Sequence, residues 1–290
     1  MIEHTVTDAE AGLLLRELLR RMGLSHRALS ALKKREDGIR LNGTHATVRA
    51  VLSEGDRVTL AVEDTEGGVI APSPIDIRVL YEDEHITACY KPAGMPTHPS
   101  HLHYGDTLAN ALAYRHRGEP YVFRAVGRLD RETDGVVLTA RNAFAAGRLG
   151  EAMKAGKIQK EYYAVALGET PPAGEITLPI RRAKDTIMLR ETAPDGDSAR
   201  TVFERVAVRD GKSLVRVYPI TGRTHQIRVH FAAIGHPLCG DTLYGTDESA
   251  PRTLLHAHSL TFPHPLTDED MTVTAPFPKD IAELFSEFCK

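Results

Sequence analysis

Cysteine is scarce in this chain of 290 residues. Cys89, Cys239 and Cys289 lie far apart, so there is no C-x-x-C pair and no even disulfide framework. That spacing argues against a structural zinc ribbon and points to a reducing compartment. Long apolar runs are missing too, since nothing approaches the roughly eighteen residues that read as a membrane span. The N-terminus carries acids where an export signal needs bases, and it lacks a clean apolar stretch. A cytoplasmic protein without a membrane partner is therefore expected. No glycine-rich phosphate loop, internal repeat or low-complexity tract is present. Net charge is small, at −3. The content of 42% hydrophobic and 26% charged residues excludes a mainly disordered chain. The length suits one large or two modest domains.

A nearly neutral total argues against a nucleic-acid partner only if charge is spread evenly, and it is not. Residues 1–62 hold ten Lys/Arg and eight Asp/Glu, whereas residues 63–90 hold one base and seven acids. The remaining 200 residues hold 25 bases and 24 acids. The negative balance thus sits in one short segment that also contains Gly67, Gly68, Pro72 and Pro74. Glycine and proline interrupt regular structure and acids keep a segment solvated, so residues 64–75 read as a linker. The expected organisation is a small module over 1–63, the linker, and a large domain over 76–290.

In the small module, residues 13–23 show apolar spacing of a helix stopped by Gly23. Ser25 caps a second short helix that carries Arg27, Lys33, Lys34 and Arg35. A strand follows to the Asn42-Gly43 turn, and residues 54–62 read as a closing strand. Ser-x-Arg, a basic helix, Leu-Asn-Gly and Gly-Asp-x-Val in this order resemble a small RNA-binding module first described in a ribosomal protein of the small subunit. Ser25, Arg27, Lys33, Lys34 and Arg35 are its candidate RNA contacts. The bland alternative is a pair of solvated helix faces.

The large domain mixes short strands with helices over 106–116, 142–156 and 224–235. Without regular βαβ alternation this indicates an α+β fold, with a central antiparallel or mixed sheet flanked by helices. Three constellations carry chemistry. Gly127-Arg128-Leu129-Asp130 precedes a strand and sets a carboxylate at a loop, where substrates gather. Such a group serves as nucleophile, base or ligand, though an Arg-x-Asp pair is more often a surface salt bridge. Residues 211–240 contain Lys212, Arg216, Arg223 and Arg228 and no acid. The Gly222 turn there opens a helix whose amides suit an anion. Zinc on His225, His230, His236 and Cys239 fits no familiar spacing. In the strand that starts at Lys160, alternation sends Tyr162 and Tyr163 to opposite faces, one to the core and one free for a site.

Together these residues carry a resemblance that none carries alone. Tyr90-Lys91-Pro92-Ala93-Gly94, Arg128-Leu129-Asp130 with Thr133-x-Gly135, Lys160-x-Tyr162-x-Ala164 and Gly222-Arg223-Thr224-His225-Gln226-Ile227-Arg228 resemble the RluA/RluD-type pseudouridine synthases. Gly235-His236-Pro237-Leu238-Cys239-Gly240-Asp241 continues the likeness, which covers roughly residues 75–278. Two positions depart from it: Gly127 stands where the family often has His, and Asp134 where it often has Ser.

The resemblance implies isomerisation of uridine in RNA to its C-glycoside, with no cofactor and no metal. It places the catalytic carboxylate at Asp130, attacking C1′ or assisting loss of a sugar proton to give a glycal; both routes stay open. It makes Arg228 the partner of that carboxylate and Tyr162 the active-site tyrosine over the uracil. Arg128 would fill the space left by a flipped-out base. Arg223, His225, Gln226 and Lys91 are further candidates for binding substrate. The RNA is ribosomal or transfer RNA, with ribosomal RNA favoured by the N-terminal module, and the enzyme is expected to be a monomer. Two rival readings remain, an N-glycoside hydrolase releasing free uracil, and an RNA-binding assembly factor without activity.

Overall fold

A computed structural model describes residues 1–184, 186, 188–246 and 250–289, and leaves the Arg27 side chain outside that description. The N-terminal part begins with β1 (Ile2–Thr5), α1 (Leu15–Arg21) and α2 (His26–Leu32), and continues with β2 (Ile39–Leu41), β3 (Thr44–His45) and β4 (Arg57–Leu60). Its sheet has the order β1-β4-β2-β3. Leu15, Leu18 and Leu19 of α1 form one apolar stripe and bury it against Ile39, Val58 and Leu60. Ser25 begins α2 by accepting the Ala28 N–H at 3.2 Å. Asn42 and Gly43 turn β2 into β3, with φ of 51° and 83°, as that dipeptide favours.

Residues 64–75 contain no helix or strand, but they are tied down rather than loose. Arg124 grips Asp64 with two bonds of 2.7 Å, the Gly68 N–H donates to Tyr121 O, and Asn110 donates to Ala71 O. The small module also packs on its neighbour, since Phe144 lies within the module's core cluster.

The larger part runs β5 (Val79–Glu82), β6 (Ile86–Lys91), α3 (Leu108–Arg115), β7 (Asp134–Ala140), α4 (Ala143–Lys154) and β8 (Gln159–Leu167). The short strands β9 (Ala173–Ile176), β10 (Ile180–Arg182) and β11 (Arg190–Thr192) precede a long hairpin, β12 (Thr201–Arg209) and β13 (Lys212–Pro219). The chain closes with α5 (Gln226–Ala233), β14 (Leu255–Pro263), β15 (Asp270–Thr274) and α6 (Lys279–Leu284). A nine-stranded mixed sheet forms in the order β5-β6-β7-β14-β8-β13-β12-β9, with β15 paired to β14. Its neighbours are antiparallel except β7 and β14. The α+β architecture expected from the sequence is the one observed.

The parallel contact of β7 with β14 explains Gly135. This residue has φ of 119°, and a Cβ there would lie 2.1 Å from the Ala257 carbonyl oxygen. Only glycine fits so close an approach at that backbone angle. The neighbouring Asp134 is buried and accepts from the Tyr90 hydroxyl and from Arg252 Nη1. The position where serine is common thus holds a paired carboxylate behind the active loop. On β8, Tyr163 goes to the core, edge-on to His258 and Phe277, while Tyr162 faces Leu129 and Val137. Alternation along the strand accounts for the split.

Burial lowers the pKa of His85, His116, His230 and His258, the last to about 4, where the charges of His256 and Arg216 add to it. Each binds a proton more weakly folded than unfolded, so its contribution is present above pH 6.5 and is lost as pH falls through the folded value. The expected result is a urea midpoint that drops as pH is lowered from 6.5 towards about 4, with a shallower slope in His258→Phe.

Candidate active site

Asp130 stands at the tip of the loop entering β7, with its side chain 22% exposed. The loop is clamped on both sides of it. On one side, Leu129 N–H donates to Thr97 Oγ1 at 3.3 Å, and that hydroxyl donates to Leu129 O at 3.1 Å. On the other side, Lys91 Nζ donates to Arg131 O at 3.1 Å and also to Pro92 O and Met95 O, at 2.9 and 2.7 Å. A fully buried ammonium needs all its donors paired, and here three carbonyls from two loops supply the partners. Burial still pulls Lys91 down to about 8, against the attraction of Asp134 and Asp130. Lys91 therefore corrects the expectation of a substrate contact: its donors are spent on the backbone, and it holds the loops together.

Arg228 comes from the first turn of α5 and is buried, with 4% exposure. Its Nη1 lies 3.8 Å from Asp130 Oδ2, within ion-pair range but too far for a hydrogen bond. Its main partner is Asp241, reached by two bonds of 2.7 Å from Nε and Nη2. Arg228 thus stands beside Asp130, the partner expected for it, while its hydrogen bonds go to Asp241, which was not expected. Burial opposes the Arg228 cation, but the Asp241 bonds and charge outweigh it and hold its pKa above the usual value. Asp241 in turn accepts the N–H groups of Leu243 and Tyr244. The fork is thus locked by a bidentate pair, and only one nitrogen is left to face the Asp130 carboxylate.

Tyr162 lines the same pocket as Arg128, Leu129, Val137, Lys160 and Leu260. Burial first, and the Asp130 charge second, push its pKa up, so the phenol stays neutral. Lys160 beside it has its pKa lowered by burial. Arg128 is exposed and donates from Nη2 to Thr224 Oγ1 at 2.7 Å, joining the Asp130 loop to the basic segment. His225 Nε2 is 4.0 Å from Asp130 Oδ1.

Other candidates are placed differently. Gln226 is buried, with its side chain accepting from Thr221 Oγ1 and Arg223 N–H and donating to Arg200 O and Thr201 Oγ1. It builds the turn instead of reaching substrate, and it takes the Arg223 amide that an anion would have used. Arg223 is half-exposed and donates to Ser198 O at 3.0 Å. His230 is occupied by Thr201 and Leu178, and His236 by Leu167 O. Among the described residues no metal-holding group of His, Cys, Asp and Glu is found.

In the N-terminal module Ser25 is a helix cap, and Arg35 is spent on Ala61 O, Glu63 O and Asp37. Both are corrected from RNA contacts to structural residues. Lys33 and Lys34 are exposed, and the Arg27 side chain lies outside the described residues. A groove lined by Arg16, Arg20, His26, Lys33 and Arg49 is the basic feature of this module. Sequence reasoning missed Arg16 and Arg20, although their i, i+4 spacing puts them on one face of α1. It also missed the roles of Thr97, Thr224, Asp241 and Tyr244, which depend on contacts distant in sequence.

The chain matches the RNA pseudouridylate synthase family over residues 85–233. It belongs to that family, as an RNA pseudouridine synthase of the RluA/RluD type. The synthase is 38% identical over 275 residues to an uncharacterized RNA pseudouridine synthase, YjbO, of Bacillus subtilis, covering 93% of this chain and 97% of the other. It is 34% identical to the ribosomal large subunit pseudouridine synthase D of Xanthomonas campestris pv. campestris, covering 85% of this chain and 80% of that one. Human RNA Pseudouridylate Synthase Domain Containing 1 shares the fold, with a TM-score of 0.61, 27% identity and coverage of 77% and 90%.

The Arg228–Asp241 pair yields a testable outcome for this synthase. Asp241→Ala leaves a buried guanidinium without its main counter-charge, an expected loss of about 3–5 kcal/mol in urea unfolding. Arg228→Leu combined with Asp241→Ala is expected to cost less than the two single changes added, while activity stays lost.

Proposed function

We propose that Asp130 is the carboxylate that acts on the sugar of the target uridine, and that the natural substrate is ribosomal RNA. The observation that carries the first part is positional. Asp130 is held by clamps on Leu129 and Arg131, faces Arg228 and His225, and raises the pKa of Tyr162 in the adjoining pocket. The reaction balances internally: the N1–C1′ bond breaks, the uracil turns, a C5–C1′ bond forms, the C5 proton leaves and N1 gains one. Attack on C1′ and formation of a glycal both require a directed carboxylate there. The apolar walls of Leu129, Val137 and Leu260 suit the retention of a detached uracil, which must not meet water. A neutral Tyr162 can stack on the base and exchange a hydrogen bond with it.

Ribosomal RNA is supported by the relative from Xanthomonas campestris, whose name specifies the large ribosomal subunit. The N-terminal groove of Arg16, Arg20, Lys33 and Arg49 supplies positive charge suited to a phosphate backbone. The separated, unpaired cysteines suit a reducing, cytoplasmic setting. Mapping pseudouridine in cellular RNA with and without the gene distinguishes ribosomal from transfer RNA targets.

Asp130→Ala is expected to abolish tritium release from RNA labelled at uridine C5, and undiminished release would overturn its role. Free uracil among the products would point to hydrolysis instead. Arg128, held at the rim by Thr224, is placed to swing into the stack when the base flips. Arg128→Ala is expected to lower kcat/KM on structured RNA by about tenfold or more, with a smaller loss on an unstructured oligonucleotide. Equal losses on the two would reject the flipping role.

A further inference from the structure

A hydrogen-bonded chain behind His225 determines which of its ring nitrogens carries a proton. The backbone N–H of Arg190 donates to the Tyr244 hydroxyl at 2.9 Å, and that hydroxyl lies 2.7 Å from His225 Nδ1. Tyr244 has one proton to give, and among the described residues His225 Nδ1 is the acceptor in reach. Burial raises the Tyr244 pKa, so this proton stays on the phenol. Burial also lowers the His225 pKa, helped by the charges of Arg228 and Arg190 against the attraction of Asp130 and Asp241. A neutral imidazole that accepts at Nδ1 carries its proton on Nε2.

That Nε2–H faces Asp130, with 4.0 Å between Nε2 and Oδ1. The gap is too wide for a direct hydrogen bond, yet one oxygen placed about 2.8 Å from each atom fits between them. Such an oxygen must accept from the imidazole and donate to the carboxylate. A hydroxyl does both, whereas a carbonyl, ether or phosphate oxygen cannot donate. Within an RNA strand O3′ and O5′ are esterified, so the sugar offers a single hydroxyl, the one on C2′ beside the reacting C1′. His225 is also held at φ of 57°, at the start of α5, with no cap bond from its side chain. Its ring is thus directed to the site and not spent on the helix.

We propose that His225 and Asp130 share the 2′-hydroxyl of the target uridine, which makes His225 a residue that selects ribose over deoxyribose. Discrimination of RNA from DNA needs such a paired donor and acceptor at the 2′ position. Tyr244 acts through His225 as a positioning residue. The proposal rests on the reading of Asp130 as the reacting carboxylate, and the tritium assay of Asp130→Ala tests that reading separately.

The test uses the full chain and a stem-loop RNA spanning a mapped target, made with uridine or 2′-deoxyuridine at that one position. Preference is the ratio of the two kcat/KM values. Where the deoxy target is not turned over, preference is instead the ratio of its Ki as a competitive inhibitor to the KM of the uridine target. His225→Ala is expected to lower the preference for ribose by about tenfold or more, because a site that loses one hydrogen bond to a hydroxyl loses discrimination of that order. His225→Gln, which returns an amide N–H near Nε2, is expected to recover part of it. Tyr244→Phe, which keeps the ring and removes the lock, is expected to lower the preference by a smaller factor. An unchanged ratio in His225→Ala overturns the proposal even if overall activity falls. If circular dichroism shows that His225→Ala does not fold, an unchanged ratio in Tyr244→Phe overturns it instead.

Discussion

The buried ammonium of Lys91 is the interaction on which the active site depends. A cation removed from water must find partners for every donor, and this one finds three carbonyls on two separate loops. Satisfying it fixes the segment around Pro92 and Met95 against Arg131. Thr97 repeats the device one residue before Asp130, on the Leu129 backbone. The Asp130 carboxylate is thereby directed without either clamp touching its oxygens. This leaves its charge free to face the pocket, and it shows how a loop residue can be held as firmly as one on a strand.

On the opposite wall the same logic is applied with charges of both signs. Arg228 is too buried to stand alone, and Asp241 neutralises it with two short bonds. Its fork is consumed by that structural pair, so the arginine offers Asp130 one nitrogen at a distance. His225 is likewise restrained from behind, by Tyr244. The two arms stand off the Asp130 carboxylate, at 3.8 and 4.0 Å. Tyr162, kept neutral by burial, completes a pocket shared by Arg128, Lys160 and the apolar side chains of Leu129, Val137 and Leu260.

The acidic segment 64–75 acts as a strap more than as a hinge. Its charge is balanced where it matters, at the Asp64–Arg124 pair, and its backbone is bonded to residues of the larger body. Phe144 then joins the small module's core to α4. The net charge of −3, which comes from residues 63–90 as a whole and not from this strap alone, is a poor guide to its RNA partner. Exposed positive charge gathers in the groove of α1 and α2, at Arg16, Arg20, Lys33 and Arg49, whereas Arg228 is buried and neutralised by Asp241.

Local physics made much of this legible in advance. Alternation separated Tyr162 from Tyr163, the Asn42-Gly43 turn and the Ser25 cap appear where their chemistry requires, and the ordered motifs identified the reaction class. The strands β12, β14 and β15 were not read, since their mixed polar and apolar residues obey no clean period and gain their form from neighbours in the sheet. Side-chain roles were legible as residue types, but not as partners. Lys91, Gln226 and Arg35 look like surface cations or substrate ligands in the sequence, yet each is consumed by backbone groups brought to it from elsewhere in the fold. Residue type and spacing determine which chemistry a chain can perform. Which side chain spends its hydrogen bonds on the protein, and which keeps them for the substrate, was decided only by tertiary structure, because that competition is settled between residues far apart in sequence.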